Sequence, residues 1–219
     1  MGDGQLKRDF YSVAEYEALV RDAKEGERYE YVNGQIIRCE DYTSKSHNQL
    51  IMNCYRILAD HFYPKGRRVY TENVQLVIGD DEEYRLPDVM VTCSRRDQEA
   101  TYKVKDPVVL VEVLSPGTAM QDFGGKLDAY RKIESLKAYL IVNPAEVWVR
   151  VYHRDAAGHW PPDQVYALLE DVIQVNALGL ALPLREVYRF VFQTPPGPFS
   201  PPLPPPRAFA MRRAPSAGA

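Results

Sequence analysis

One eight-residue stretch restricts the fold of this chain more than any other feature. Residues 107–114 read Pro-Val-Val-Leu-Val-Glu-Val-Leu and are apolar on both faces, apart from Glu112. A run of this kind is typical of a central strand that is covered by helices on each side. Because side chains alternate along a strand, Glu112 shares a face with Val108, Leu110 and Leu114 and should be buried. The stretch therefore predicts a layered α/β fold with a carboxylate inside it.

A carboxylate in that position needs a partner. Its burial costs several kcal/mol unless it is protonated, paired with a base or bound to a metal. Asp88 is the natural neighbour of Glu112, because Pro87-Asp88-Val89-Met90-Val91 begins a strand that can lie beside the Glu112 strand. The two acids would then converge.

Two converging acids favour a cation. Ionised carboxylates about 4 Å apart repel each other by about 4 kcal/mol at an effective dielectric constant of about 20. This repulsion forces one acid to keep its proton or recruits a divalent cation. Mg²⁺, or Mn²⁺ in its place, fits two carboxylates without a cysteine or histidine cluster. The alternative is a core Asp or Glu that is paired with Arg or Lys.

A helix predicted from about Gln121 to Ile133 carries a further candidate, Lys126. By helical spacing, Asp122, Lys126 and Tyr130 occupy one face, and this face could cover the ends of both acidic strands. A lysine there would orient the attacking water and stabilise charge on a phosphate. The alternative is a solvent-exposed ion pair between Asp122 and Lys126, worth about 0.3 to 0.5 kcal/mol.

The other predicted elements complete a mixed sheet with helical cover. The segment from Ser12 to Glu15 fits the capping box of a short first helix. Asn33-Gly34 favours a type I′ turn, and apolar spacing predicts a helix over residues 47–62 with Ser46 as its cap. Strands are predicted over residues 29–32, 35–38, 69–78, 85–92, 107–114, 138–143, 147–153, 171–175 and 180–184.

Composition excludes several classes of protein. The chain has 219 residues, 45% of them hydrophobic and 26% charged, as expected of one globular domain. It has no run of about 20 apolar residues and its N-terminus lacks the apolar core of a signal peptide, so we expect a cytoplasmic protein without membrane association. Three cysteines without Cys-x-x-Cys spacing indicate free thiols.

The net charge of −3 argues against a protein that coats nucleic acid through bulk charge, but it allows a local basic groove. Three clusters are candidates for phosphate contacts, with ordinary solvated surface charge as the alternative for each. They are Lys65 with Arg67 and Arg68, Arg95 with Arg96, and Arg131 with Lys132 and Lys137.

The composition changes abruptly after Gln193. The segment that follows is too rich in proline and too poor in apolar residues to pack a core. We therefore expect a domain over residues 1–193 and a disordered tail over residues 194–219. The run Pro-Pro-Leu-Pro-Pro-Pro-Arg could bind a partner protein as a polyproline II ligand, and an extension without a partner is the alternative.

Five segments together form a specific pattern, although each is weak alone. They are the hairpin over residues 27–34, His47-Asn48, Pro87-Asp88-Val89, residues 111–116, and the segment from Asp122 through Lys126 to Tyr130. This set resembles the Uma2-type restriction endonuclease family, formerly a domain of unknown function, within the PD-(D/E)xK nuclease superfamily. The resemblance spans about Tyr11 to Tyr188.

The resemblance implies an α/β fold with a restriction-endonuclease-like core, in which a mixed central β-sheet is flanked by α-helices. It also implies a metal-dependent nuclease in which Asp88 and Glu112 are the metal-binding acids and the backbone carbonyl of Val113 is a further ligand. Leu114 stands where the Glu-x-Lys form of the signature has its lysine. In this branch Lys126 of the next helix would replace it.

Two further positions have open roles. By resemblance, Glu30 matches an acidic hairpin position and would add a third carboxylate or contact a metal-bound water, whereas as an isolated residue it reads as an exposed strand glutamate. His47 lies near a predicted helix N-terminus, where the helix dipole suits a phosphate or a neutral hydrogen bond. A plain capping or core-edge histidine is the alternative.

These observations predict an enzyme that hydrolyses nucleic-acid phosphodiester bonds, with DNA as the substrate by resemblance. The main alternative is a nucleic-acid-binding or regulatory module that keeps the nuclease fold without turnover. A third hypothesis is an assembly protein that forms oligomers and recruits a partner through its tail. A two-fold homodimer would match the symmetry of duplex DNA, but no recognition helix can be read from the sequence.

Overall fold

Two main β-sheets and their covering helices make up the described part of the chain. The structure is a computed structural model that describes residues 10–39, 43–80, 82–115 and 123–192. The helices are α1 (Val13–Asp22), α2 (Lys45–Phe62), α3 (Arg95–Glu99), α4 (Gly125–Arg131) and α5 (Leu184–Val187). The strands are β1 (Tyr29–Val32), β2 (Gln35–Arg38), β3 (Arg68–Thr71), β4 (Gln75–Ile78), β5 (Glu83–Arg85), β6 (Val89–Thr92), β7 (Lys103–Val104), β8 (Pro107–Val113), β9 (Ala138–Val142), β10 (Val149–His153), β11 (Gln164–Tyr166), β12 (Val172–Val175) and β13 (Leu180–Pro183).

Both main sheets are mixed. The larger one has the order β11-β10-β9-β8-β6-β3, with β8 parallel to β9 and antiparallel to β6. The second sheet has the order β2-β1-β5-β4-β7, and β12 and β13 form a separate pair. The predicted mixed sheet with helical cover is confirmed. The strands nevertheless divide between two main sheets, whereas the sequence predicted one central sheet.

The strand β8 lies inside the larger sheet, as its apolar sequence predicted. All of its residues are buried. One face of the sheet packs against α2, β12, β13 and α5, and the other packs against α4 and strands β4 and β7. A third cluster, in which Tyr16 of α1 meets Tyr31 and Tyr84, covers the far side of the smaller sheet. The carboxylate of β8 therefore lies between layers.

One member of the predicted Glu112 face was assigned wrongly. Val108 packs with the α2 side of the sheet, whereas Leu110 packs with the α4 side. The strand register explains the difference, because Val91 pairs with Val109 while Thr92 pairs with Pro107. This bulge leaves Val108 as the extra residue and turns it to the other face.

Local sequence signals explain the first helix and the first hairpin. Ser12 caps α1, since its Oγ accepts from the Glu15 amide at 3.3 Å and Glu15 Oε2 accepts from the Ser12 amide at 2.8 Å. Asn33 and Gly34 have φ angles of 48° and 85°, as a type I′ turn requires. Both features confirm the predictions.

The helix α2 begins earlier than predicted. Its cap is Ser44, whose Oγ accepts from the His47 amide at 3.1 Å. The prediction of Ser46 as the cap was wrong, because two serines at this spacing offer the same local chemistry. His47 lies in the first turn of the helix, and its ring reaches the Val113 carbonyl of β8.

A bend divides each of the two strands that were predicted over residues 69–78 and 85–92. The chain leaves β3, passes through Glu72 and Asn73 with φ angles of 27° and 57°, and continues as β4 in the other sheet. The return path from β5 to β6 bends at Asp88, whose carbonyl accepts from the Glu72 amide at 3.3 Å. Asp88 therefore lies where the chain crosses from the smaller sheet to the larger one.

Three further predictions concern membrane association, the cysteines and the C-terminal tail. In the described residues, no helix combines the length and the apolar character that a membrane crossing needs. Cys39, Cys54 and Cys93 are free thiols, as expected. The predicted tail, residues 194–219, lies outside the described residues, so the domain boundary stays a prediction.

The hydroxyl of Tyr188 ties the C-terminal part of the fold to the turn before β10. It accepts from the Trp148 amide at 3.1 Å and lies 2.6 Å and 3.0 Å from the carbonyls of Trp148 and Asn143. We expect Tyr188→Phe to lower the free energy of unfolding by about 1 kcal/mol, because the hydrogen bonds of the hydroxyl are lost while the Trp148 amide and carbonyl keep their bonds to Glu146 and Asn143. Denaturant unfolding measures this change. The control is Tyr166→Phe, because in the described contacts the Tyr166 hydroxyl bonds only the exposed side chain of Gln164. Equal effects of the two variants would contradict the role assigned to Tyr188.

Candidate active site

The backbone of β8 holds the carboxylate of Asp88 in place. Asp88 Oδ2 accepts from the Val113 amide at 2.6 Å. The strand β6 begins at Val89, which pairs with Val111, so the Val113 amide lies beyond the last pair of the two strands. The Asp88 carboxylate takes the place of a strand partner there. It therefore lies against the peptide bond that joins Glu112 to Val113.

Two side chains of α4 hold the carboxylate of Glu112. Glu112 Oε2 lies 3.0 Å from Lys126 Nζ, and Oε1 accepts from the Tyr130 hydroxyl at 2.7 Å. Lys126 and Tyr130 are one helical turn apart, so they reach the same group. Burial, and then the charge of Glu112, raise the pKa of Tyr130 well above its ordinary value, so this hydroxyl keeps its proton.

The burial of Lys126 settles one of the alternatives left open by the sequence. Lys126 is 4% exposed and Glu112 is 3% exposed. A solvent-exposed ion pair between Asp122 and Lys126 was therefore the wrong interpretation of Lys126, although Asp122 itself lies outside the described residues. The helix amine faces the buried acid, so Glu112 has the basic partner that was the alternative to a shared cation.

His47 of α2 contacts the carbonyl of Val113, whose amide is bound by Asp88. Its Nε2 lies 2.9 Å from the Val113 carbonyl oxygen and 3.7 Å from Asp88 Oδ2. The residue is 8% exposed, and its Nδ1 is buried without a hydrogen-bond partner among the described residues. The sequence indicated only that His47 stands near a helix start. Its contacts with Asp88 and Val113 depend on tertiary packing, which no local signal reveals.

Glu30 is buried, and not exposed, and it pairs with Arg85. Its Oε2 pairs with Arg85 Nη1 at 3.3 Å, and its Oε1 accepts from the Leu86 amide at 2.9 Å. Arg85 also binds Glu83 at 2.9 Å. Burial opposes the charge of Arg85, but Glu30, with Tyr130 and Glu83, outweighs it and raises the pKa of Arg85.

The donor atoms at this end of the larger sheet fit a hard cation. The available metal ligands are oxygen atoms, from the carboxylates of Asp88 and Glu112 and from the Val113 carbonyl. Mg²⁺ commonly binds one or two carboxylates while it keeps several waters. Each carboxylate oxygen has two lone pairs, so Glu112 Oε2 can accept from Lys126 and still bind a cation. In the described ranges no group of three or more His, Cys, Asp or Glu side chains is placed to hold a metal, so Glu30 is not brought in as a third ligand.

The basic clusters are not placed around this site. Arg68 pairs with Thr92, and Thr71 pairs with Val89, so the cluster at the start of β3 lies at the end of the sheet opposite to Asp88. The cluster at α3 is partly neutralised, since Arg95 pairs with Glu99 and Arg96 with Asp106. Lys137 precedes β9 and therefore also lies away from the end with Val113.

The chain is similar to several known proteins. The sequence model of Uma2, described as "Putative restriction endonuclease", matches residues 13–185. Two proteins of Synechocystis sp. are relatives. The uncharacterised protein slr1290 is 29% identical over 180 residues, which cover 82% of this chain and 93% of that protein. The uncharacterised protein sll1609 is 30% identical over 149 residues, which cover 67% and 81%.

A solved structure shows the same fold. It is the crystal structure of a protein from Anabaena variabilis, described as a "putative nuclease belonging to DUF820", with a TM-score of 0.68 and 18% identity over 83% of this chain and 99% of that chain. This likeness confirms the restriction-endonuclease-like core that the sequence predicted. From the match over residues 13–185, the chain belongs to the Uma2 family of nuclease-like proteins.

Proposed function

We propose that the protein is a metal-dependent endonuclease that hydrolyses phosphodiester bonds in DNA. One observation carries the proposal: buried Lys126 of α4 lies 3.0 Å from buried Glu112 of β8, and the next amide of that strand binds Asp88. Two charges are costly to bury, so a buried ion pair beside a second acid is a candidate for a functional site.

The chain's own oxygen atoms would hold the cation. Asp88, Glu112 and the Val113 carbonyl are the ligands that we propose, and Mg²⁺ or Mn²⁺ is the ion that suits them. When bound, such an ion lowers the pKa of a water molecule and acts as a Lewis acid toward the phosphate. Tyr130 would keep the Glu112 carboxylate oriented through its hydrogen bond of 2.7 Å, and His47 would orient the Val113 carbonyl through its contact of 2.9 Å.

Lys126 would supply the positive charge of the site. Held by Glu112, its ammonium group is positioned to donate to the attacking water and to the phosphate oxygens where negative charge develops. Lys126 would thus fill the role that the Glu-x-Lys signature gives to a lysine at the position where this chain has Leu114.

Incubation with nucleic acids tests the proposal. Purified protein is mixed with supercoiled, linear and single-stranded DNA and with RNA, in Mg²⁺, in Mn²⁺ or with a chelator. We expect cleavage of DNA in the presence of either metal and none with the chelator. Cleavage that survives chelation, or that is unchanged in Asp88→Ala, would contradict the proposed site.

The same experiment separates the main rival. A regulatory module that keeps the nuclease fold without turnover would bind nucleic acid in every metal and cleave none. RNA cleavage without DNA cleavage would keep the chemistry and change the substrate. An altered partner or oligomeric state after deletion of residues 194–219 would instead favour a role in assembly.

A further inference from the structure

The segment that delivers Asp88 to the site is short and held from one side by Glu30. Between the last residue of β5 and the first of β6 lie only Leu86, Pro87 and Asp88. The Leu86 amide donates to Glu30 Oε1 at 2.9 Å. Pro87 has a fixed φ angle, so the orientation of the Leu86 peptide passes to Asp88 with little freedom.

Strand pairing explains why Glu30 is in reach. Tyr31 pairs with Tyr84 and Val32 with Glu83, so the same register sets Glu30 opposite Arg85. Tyr31 and Tyr84 pack into the cluster around Tyr16. By alternation, Glu30 and Arg85 therefore point to the opposite face, toward the larger sheet.

We infer that Glu30 is a positioning residue, which fixes Asp88 against the Val113 amide by holding the Leu86 amide. Both of its oxygens are engaged, one by Leu86 and one by Arg85. This role differs from that of a metal ligand. It assigns to the hairpin of β1 and β2 the function of setting the distance between Asp88 and β8.

Glu83 provides a matched control for Glu30. Both are glutamates of the smaller sheet, both are 6% exposed, and both pair with Arg85. In the described contacts Glu83 receives Arg85 Nε and Nη2, whereas Glu30 also receives the Leu86 amide. A difference between the two variants therefore reports the Leu86 bond and not the loss of an ion pair.

Hydrogen exchange of the Val113 amide tests the inference directly, because this amide is held by Asp88. In metal-free protein, we expect Glu30→Ala to speed exchange at Val113 about tenfold, as loss of one hydrogen bond allows. We expect Glu83→Ala to leave that exchange within about twofold. Glu30→Gln keeps an acceptor for the Leu86 amide and should restore slow exchange. Glu30→Met replaces the alanine variant if a cavity prevents folding.

Calorimetric titration with Mn²⁺ gives a second readout, which rests on the proposed function. We expect Glu30→Ala to weaken Mn²⁺ binding about 10- to 100-fold, as for other residues that orient metal ligands, and Glu83→Ala to leave it unchanged. Equal effects of the two variants on the Val113 amide, or none from Glu30→Ala, would overturn the inference. If the unaltered protein bound no Mn²⁺, the proposed function would fail, while the exchange rates would still decide the role of Glu30.

Discussion

Glu112→Gln is expected to lower the rate of metal-dependent DNA cleavage about 1,000-fold. The change removes the charge that we propose for cation binding, and metal-ion catalysis supplies several kcal/mol, of which about 1.4 kcal/mol equals one factor of ten. The shape of the side chain and an acceptor for Tyr130 are kept. Single-turnover cleavage at saturating Mg²⁺ measures the effect. The matched control is Glu146→Gln, an exposed glutamate whose replacement should leave the rate unchanged.

Stability could account for such a loss without any catalytic role. Glu112→Gln leaves Lys126 buried without its acid, which costs about 3 to 5 kcal/mol for pairs of this kind. The double variant Glu112→Gln with Lys126→Met removes both charges. We expect its free energy of unfolding to exceed that of the single glutamine variant, while its cleavage rate stays as low. A double variant that regains activity together with stability would show that Glu112 is structural.

Lys126→Met is expected to lower kcat about 100-fold without weakening Mn²⁺ binding. The lysine is proposed to act on water and phosphate, and groups with that role contribute about 100-fold or more. It also occupies Glu112 Oε2 at 3.0 Å. Its removal should therefore leave the carboxylate as available to a cation as before, or more so.

Cleavage kinetics and Mn²⁺ titration separate the two effects. The control is Lys24→Met, because Lys24 lies just after α1, is exposed and belongs to none of the basic clusters. If Lys126→Met instead weakened Mn²⁺ binding and left kcat at saturating Mn²⁺ unchanged, Lys126 would serve the structure of the metal site and not the reaction.

Local chemistry explains the parts of the fold that the sequence predicted well. A capping box, an Asn-Gly turn and an apolar strand are each decided by residues within a few positions of one another. The segment α3, the short strands β7 and β11 and the helix α5 were not predicted, because each has only two to five residues. Periodicity carries no signal over such lengths.

Contacts between segments that are distant in the sequence could not be predicted from local patterns. Arg85 reads as an ordinary strand residue, yet it pairs with Glu30, 55 positions away. His47 reaches Val113 across 66 positions. The adjacency of the Asp88 and Glu112 strands was predictable, since strands that follow each other usually pair. The residues that surround the two acids depend on where the chain passes from one sheet to the other. It does so at a bend through Glu72, and no glycine in the sequence marks this bend.

Asp88 and Glu112 are proposed to share a divalent cation with the Val113 carbonyl. A crystal structure with Mn²⁺, measured at a wavelength where manganese scatters anomalously, tests this proposal most directly. The account predicts one anomalous peak about 2.0 to 2.3 Å from an oxygen of each acid and from the carbonyl. A peak at another position would contradict the proposal. The absence of a peak at saturating Mn²⁺, with Lys126 still in contact with Glu112, would also contradict it.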